Sequence, residues 1–318
     1  MIELIIQLFI FAISLILLAS ASHFAIKSIE KLIELTGLSE VSVGFLILAV
    51  MTSIPEITVA IFSILQGTPG TSVGDVLGSN VFNISVVVGI LAMLGYLKTC
   101  CTELLVELTD ILFLTTLIPL ILVLVISNYH IFNVASPIVG MILLGAFVIN
   151  AFFVVRKRTP PVKMNTFEAV KKESTKIVCA KLLVSLIGVV IAARLVVYSV
   201  SNIALFLGVP PILIGAKVVA IGTSLPELTL DLTAVKRGRI QLALGDIIGS
   251  NLTNLTLVLG LVLIGSPLAV DMTVLIEILP FLLITTIIFW RFLVKGGVSK
   301  VGGVILIMTY ILFQAVLV

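Results

Sequence analysis

Two glutamates, Glu56 and Glu227, each follow a proline in the middle of a strongly apolar run. Each closes a short block, Ala49-Val50-Met51-Thr52-Ser53-Ile54-Pro55-Glu56 and Ala220-Ile221-Gly222-Thr223-Ser224-Leu225-Pro226-Glu227. A second pair of blocks follows, Gly74-Asp75-Val76-Leu77-Gly78-Ser79-Asn80-Val81-Phe82-Asn83 and Gly245-Asp246-Ile247-Ile248-Gly249-Ser250-Asn251-Leu252-Thr253-Asn254. Every matched pair, from Ala49 and Ala220 to Asn83 and Asn254, is 171 positions apart. An ionisable group in an apolar span is costly, and its default reading is a path for an ion or a polar substrate. A repeat carrying such a group twice points to a transporter.

The surrounding residue types suit a hard cation. A proline within a helix removes one donor and clashes with the carbonyl four residues earlier, here that of Met51 or Gly222. Neighbouring carbonyls, those of Ala49 and Ala220 included, can then tilt toward a cavity. Thr52, Ser53, Thr223 and Ser224 add hydroxyls on the same turn, and Ca²⁺ takes about 6–8 oxygen ligands. Ser79 and Asn83, like Ser250 and Asn254, are four residues apart and share a helix face. Gly74, Gly78, Gly245 and Gly249 fit close helix approach. Two carboxylates balance one divalent cation, or hold monovalent cations or protons instead; mutually exclusive occupancy of that kind is a physical basis for exchange.

The elements that hold these residues are expected to be membrane spans. The chain of 318 residues is 60% hydrophobic and 11% charged, with a net charge of +3. Its mean hydropathy is +1.34. That excludes an ordinary soluble domain and gives no basis for nucleic-acid binding. Apolar runs of about 20 residues number ten, at roughly 3–26, 40–66, 72–97, 107–127, 133–156, 176–204, 210–235, 240–265, 271–293 and 299–317. A basic linker, 157–175, separates a first five-helix repeat at 1–156 (motif 43–90) from a second at 176–318 (motif 214–261). The expected fold is therefore all-α, with ten transmembrane helices in two inverted five-helix repeats. If the linker is cytoplasmic, Lys27, Lys31, Lys98, Lys236, Arg237, Arg239, Arg291, Lys295 and Lys300 fall on its side. The opposite loops carry no Lys or Arg, so both termini are expected on the non-cytoplasmic face. Five spans per repeat set the two motif helices antiparallel, which is the architecture of alternating access. Cys100, Cys101 and Cys179 have no metal-ligand spacing and read as small packing residues.

The duplicated Thr-Ser-x-Pro-Glu and Gly-Ser-Asn-x-x-Asn blocks closely resemble the alpha repeats of sodium/calcium exchangers, within the cation/calcium exchanger superfamily. The resemblance implies a prokaryotic type in the plasma membrane, without a large regulatory insert. It also implies antiport of Ca²⁺ against Na⁺, with no cofactor and no obligatory protein partner. By resemblance Glu56 and Glu227 are the central ligands. Thr52, Ser53, Thr223, Ser224, Ser79 and Ser250 line flanking sites, with carbonyls of Ala49 and Ala220. Asn83 and Asn254 stand beside the centre. Met51 departs from the usual Gly, and Asn254 from the Asp of potassium-dependent relatives. The proton/calcium branch usually carries Gly-Asn-x-x-Glu, which this chain lacks, so Ca²⁺/H⁺ antiport is the alternative on the same scaffold.

Other readings stand beside these. The glutamates can simply hold helices together, and the Gly-Ser-Asn blocks can be packing surfaces. Asp75 and Asp246 read as capping or entrance residues near helix starts. Asp231, one turn after Glu227, is expected to pair with Lys236 or Arg237 outside the site. An ion channel and an intramembrane hydrolase are the alternatives of different class. The inverted repeat speaks against the first, and the lack of a catalytic His or Cys beside a base against the second.

Overall fold

The computed structural model describes residues 2–66, 69–100, 102–129, 132–156, 174–206, 220–265 and 272–316. All of their regular structure is helical. The linker at 157–173, the segment 207–219 and the loop at 266–271 lie outside the described residues, as does Cys101.

Helix α1 (Ile2–Thr36) leads in, and Gly37 ends it at φ +67°. That left-handed conformation lets the Gly37 N–H return to the Ile33 carbonyl at 2.9 Å and is cheap only for glycine. The first motif segment then runs through α2 (Glu40–Val43), a π-helical stretch Gly44–Leu48, α3 (Ala49–Thr52) and α4 (Ile54–Gln66). Ser39 caps α2, its hydroxyl accepting the Ser42 N–H at 3.1 Å. Next come α5 (Pro69–Phe82), a second π stretch Asn83–Val87, and α6 (Val88–Met93). The first half closes with α7 (Glu103–Tyr129) and α8 (Phe132–Arg156).

The second half opens with α9 (Thr175–Phe206), followed by α10 (Ala220–Thr223) and α11 (Leu225–Lys236). Then come α12 (Ile240–Thr253), a third π stretch Asn254–Val258, and α13 (Leu259–Gly265). Helices α14 (Met272–Val294) and α15 (Lys300–Val316) complete it.

Among the described residues, six helices are long and apolar enough to cross a bilayer. The pair Glu40–Thr52 and Ile54–Leu65, bent by 42°, makes a seventh if the two are counted as one broken span. The apolar run 40–66, read from sequence as one span, is thus two helices meeting at Ser53. Pro55 cannot donate to the preceding turn, which is the reason for the break.

Layering follows the hydropathy of each face. Helices α1 and α9 pack along one another at the periphery. They turn bulky apolar side chains outward, with Ile16 67% and Val184 69% exposed. Water would penalise such a surface and lipid does not, so the chain is a multi-pass membrane protein. Inside lie the α5–α6 and α12–α13 segments, with α7 against α14, α8 against α13, and α6 against α15. From Leu242 to Asn254 every residue is buried. Close approach is written into α12: a Cβ at Gly245 would stand 2.7 Å from the Val41 carbonyl oxygen. A Cβ at Gly249 would stand 2.8 Å from both Phe45 Cα and the Ala49 Cβ. Only glycine admits the α2–α3 segment this near.

One end of the bundle is polar and cross-linked. Arg237 makes a two-armed ion pair with Glu30 at the end of α1. Arg239 bridges Glu30 at 3.2 Å and Glu40 at 2.9 Å. The Gln241 amide donates to the Cys100 carbonyl, and the Val298 N–H to the Leu97 carbonyl at 2.7 Å. The turns after α1, α6, α11 and α14, which carry the basic residues singled out in the sequence, therefore gather at one end. Of the cysteines, Cys100 is buried as a packing residue should be, whereas Cys179 is exposed on α9.

Candidate functional site

The two proline-glutamate blocks fold alike because they share one backbone problem. Each helix stops at a threonine, Thr52 or Thr223, and the next begins with the x-Pro dipeptide, so Ser53 and Ser224 occupy the break in both copies. Glu56 and Glu227 are each the third residue of the new helix, α4 and α11, in its first turn. There the helix dipole presents its positive end, which favours a carboxylate. Both glutamates are fully buried.

Across the break the two halves interlock reciprocally. The Thr52 hydroxyl donates to Asp246 Oδ1 at 3.4 Å, and the Thr223 hydroxyl donates to Asp75 Oδ1 at 3.2 Å. The Asn83 amide donates to Ser250 Oγ at 3.4 Å, and the Asn254 amide donates to Ser79 Oγ at 3.4 Å. Each bond has its counterpart when both partners are displaced by the 171 positions that separate the blocks. Asn80 adds a latch between the halves, donating to the Asn251 carbonyl at 3.1 Å and accepting from the Asn254 amide at 3.1 Å. Asn83 and Asn254 each begin a π stretch, a local widening of the helix that commonly marks functional positions.

The electrostatics are those of an acidic interior. Glu56 is within electrostatic reach of Glu227 and Asp75. Glu227 neighbours Asp246 and the Thr52 hydroxyl. Both carboxylate oxygens of Glu56 and of Glu227 are buried without a hydrogen-bond donor. The same holds for the hydroxyls of Ser53 and Ser224 and for the side-chain carbonyls of Asn83 and Asn254. These eight oxygens fall in four symmetric pairs of atoms, all facing a loss of hydration that no protein donor offsets. Among the described residues no trio of His, Cys, Asp and Glu converges as a metal centre. Carboxylates and neutral oxygens in mixture fit a hard cation, not a soft transition metal.

Of the residues expected from sequence, Thr52, Ser53, Glu56, Ser79, Asn83, Ser224, Glu227, Ser250 and Asn254 are all buried, and Thr223 is partly buried on the same turn. The Ala49 carbonyl keeps its helical partner, the Ser53 N–H at 3.1 Å, and lies 3.2 Å from the Thr52 hydroxyl, whose single proton it shares with Asp246. The helix runs intact up to Thr52, so the proline disturbs the turn after Ala49 instead of Ala49 itself. Ala220 opens the short helix α10.

Two readings of acidic residues are corrected. Asp75 and Asp246 are not helix caps: each is the seventh residue of its helix, beyond the first turn. They accept the threonine hydroxyls from the opposite half, each with its second oxygen, Oδ2, buried and unpartnered. Nor does Asp231 pair with Lys236 or Arg237. Arg237 is committed to Glu30, Lys236 points outward, and Asp231 lies fully buried against Asp246. The shared 171-residue offset was the signal that Asp75 and Asp246 belong with the site. Asn80 and Asn251 carried the same signal.

Fold and site together define a multi-pass membrane protein with a buried, acidic oxygen cluster assembled from both halves. Comparison with known proteins makes the class specific. The sequence profile of the sodium/calcium exchanger protein family matches residues 6–156 and 178–318, and the chain belongs to that family. It is 29% identical to the sodium/calcium exchanger MaX1 of Methanosarcina acetivorans, covering 97% of each chain. It is 29% identical to the putative antiporter CaxA of Alkalimonas amylolytica over 96% of each. Among solved structures it superposes on the sodium-calcium exchanger NCX_Mj, soaked with zero Na⁺ and Ca²⁺, with a TM-score of 0.84. That match is 26% identical in sequence and covers 100% of both chains.

Proposed function

We propose that this protein is a secondary antiporter that exchanges Ca²⁺ for Na⁺ by alternating access. One observation carries the reading: eight buried side-chain oxygens, from Glu56, Glu227, Ser53, Ser224, Asn83 and Asn254, have no donor. A cation bound among them would satisfy them together, and about 6–8 oxygens is the shell Ca²⁺ prefers. Thr52, Thr223, Ser79 and Ser250 stand around that centre and are the flanking ligands for Na⁺, with the carbonyls of Ala49 and Ala220 at the edge. The neutral oxygens suit a monovalent ion, while the paired carboxylates match the charge of a divalent one. Because both ions need the same carboxylates, binding of one excludes the other, and crossing with bare carboxylates is suppressed by the cost of burying them.

The architecture in this reading is ten spans in two inverted five-helix repeats, with 157–175 as a basic linker on the cytoplasmic side. Both termini then face away from the cytoplasm, in the plasma membrane of a prokaryote. The reciprocal hydrogen bonds between Thr52 and Asp246 and between Thr223 and Asp75 support the two-fold relation. The peripheral pair α1 and α9, packed on each other and on α11, is the element whose sliding would open the site to either side. It covers the α11 face without contributing carboxylates to the cluster.

Radiolabelled Ca²⁺ uptake into proteoliposomes tests this. Vesicles are loaded with Na⁺, with K⁺ or with acid and diluted into Na⁺-free buffer. The expected result is uptake that requires internal Na⁺ and is lost in Glu56→Gln. Uptake driven only by a proton gradient would refute Na⁺ as the counter-ion.

A further inference from the structure

The two-fold pattern of the site is broken at one acidic position. Asp231, one helical turn beyond Glu227 on α11, is fully buried. The residue 171 positions earlier is Ala60, also fully buried. The second half therefore carries a carboxylate that the first half replaces with a methyl group.

Among the described residues no basic side chain pairs with that carboxyl, no N–H or hydroxyl donates to its oxygens, and its hydrogen-bonding neighbour is the carboxyl of Asp246. It lies against the carboxyl of Asp246 on α12 and within electrostatic reach of Glu227. Asp246 itself has Oδ1 on the Thr52 hydroxyl and Oδ2 buried without a partner. The basic residues that follow on the chain are engaged elsewhere: Arg237 and Arg239 bind Glu30, and Arg239 also binds Glu40. An ion pair at the end of α11 thus coexists with the carboxyls of Asp231, Asp246 and Glu227 deeper in the same helix layer, none of them in an ion pair with a basic side chain. Carboxyls gathered in a dry interior are neutralised either by a shared proton or by a bound cation, and the two can exchange for one another.

We propose that Asp231 and Asp246 form an additional cation site, beside Glu227 and toward the basic end of the bundle, that holds one monovalent hard cation, Na⁺ during exchange. The ligands are the two Asp231 oxygens and Asp246 Oδ2, and Thr52 orients Asp246 from the opposite half. The site has no equivalent beside Glu56, because Ala60 supplies no oxygen. An inverted-repeat carrier built this way binds one more Na⁺ on one side of its centre than on the other. The ion replaces neither central glutamate, so Ca²⁺ affinity at Glu56 and Glu227 is separable from it. The inference rests on the exchange reading given above and deepens it.

The test uses the full chain with Asp231→Asn, which keeps shape, and Asp231→Ala, which restores the first-half residue. Bound radiolabelled Na⁺ per protein is measured by equilibrium dialysis. In proteoliposomes the Na⁺ dependence of Ca²⁺ efflux is recorded together with the charge moved per Ca²⁺. Both variants are expected to bind one Na⁺ fewer than the parent, with a lower Hill coefficient for Na⁺ and less charge moved per Ca²⁺. Ca²⁺ affinity in Na⁺-free buffer is expected to fall much less than in Glu56→Gln, since Asp231 is not itself a Ca²⁺ ligand and acts on the central shell only through the field it exerts at Glu227. Unchanged Na⁺ number and Hill coefficient in both variants would overturn the site, even with exchange fully intact. Failure of the parent protein to bind Na⁺ or Ca²⁺ at all would instead overturn the exchange reading on which it stands. Thermal unfolding of the variants, with sharp transitions at or above the parent midpoint in ion-free buffer, separates loss of a ligand from loss of the fold.

Discussion

Glu56→Gln is the perturbation that the site's geometry constrains most. Gln keeps the shape and replaces a carboxylate by an amide in a position that is fully buried. Neither oxygen of Glu56 accepts a hydrogen bond from another residue, its own backbone N–H being the donor beside it, so the substitution breaks no contact to another side chain. What it removes is half of the charge that faces a divalent ion. Deleting one partner of a buried charge interaction costs about 3–5 kcal/mol. At about 1.4 kcal/mol per tenfold, Ca²⁺ should bind about two to three and a half powers of ten more weakly. The position is sealed from solvent, so screening does not reduce that figure. Without ions the sign reverses. An orphan buried carboxylate costs more than an amide whose N–H groups can donate to Glu227 or Asn83, and the variant should gain about 1–3 kcal/mol of ion-free stability.

The assay is thermal unfolding in detergent, in chelator and then across a Ca²⁺ series, alongside radiolabelled Ca²⁺ binding. The parent should be stabilised by about 2.7 kcal/mol when Ca²⁺ reaches about a hundred times its Kd. Glu56→Gln should start from a higher midpoint in chelator and show no Ca²⁺-dependent rise over the same range. A variant that unfolds earlier in chelator yet keeps the full Ca²⁺ shift would refute the argument, because Glu56 would then be a structural charge and not a ligand.

Further outcomes follow from the contacts around that centre. Thr52→Val and Thr223→Val each remove one hydroxyl donated to a buried aspartate, and each should cost about 1.5–3 kcal/mol in ion-free unfolding; effects much smaller than this would show that Asp246 and Asp75 do not depend on those hydroxyls. Gly249→Val places a side chain where even a Cβ would stand 2.8 Å from Phe45 Cα, so a loss of about 1–3 kcal/mol or more is expected by unfolding, and normal stability would refute the close approach of α12. Lys98→Cys, in a Cys100→Ala, Cys101→Ala and Cys179→Ala background, should react with a membrane-impermeant thiol reagent only from the cytoplasmic side, and labelling from outside would invert the proposed orientation.

How much of this was legible in the sequence divides along a physical line. The spans of α1, α5, α7, α8, α9 and α12 were readable because hydropathy is a local property, and lipid imposes it residue by residue. The break at the proline was readable too, since the missing N–H of Pro55 or Pro226 acts within one turn. Its outcome at Ala49 was not, because the carbonyl that accepts the Ser53 N–H depends on how far the preceding helix persists. Asp75 and Asp246 were misread as caps since hydropathy blurs helix starts. Their depth is decided by α5 and α12 entering the core along their whole length. Asp231 was misread because Lys236 and Arg237 follow it closely in the chain, yet at offsets of five and six they do not share its helix face; Glu30, 207 positions away from Arg237, takes that partner instead.

The chain by itself determined the duplicated chemistry: two glutamates, their hydroxyl neighbours, and two Gly-Ser-Asn blocks at one fixed offset, set in spans that only a membrane accommodates. Spacing of that kind is covalent, and the sequence states it without folding. Only the tertiary structure decided which oxygens face one another. Thr52 meets Asp246, Thr223 meets Asp75, Asn83 meets Ser250, and Asp231 joins a cluster with no counterpart in the first half. Such contacts join residues far apart in the chain, and their existence depends on close helix approach at glycines such as Gly245 and Gly249. A carboxylate becomes a ligand only when packing removes its water and supplies no donor in return, and that is a property of the assembled fold.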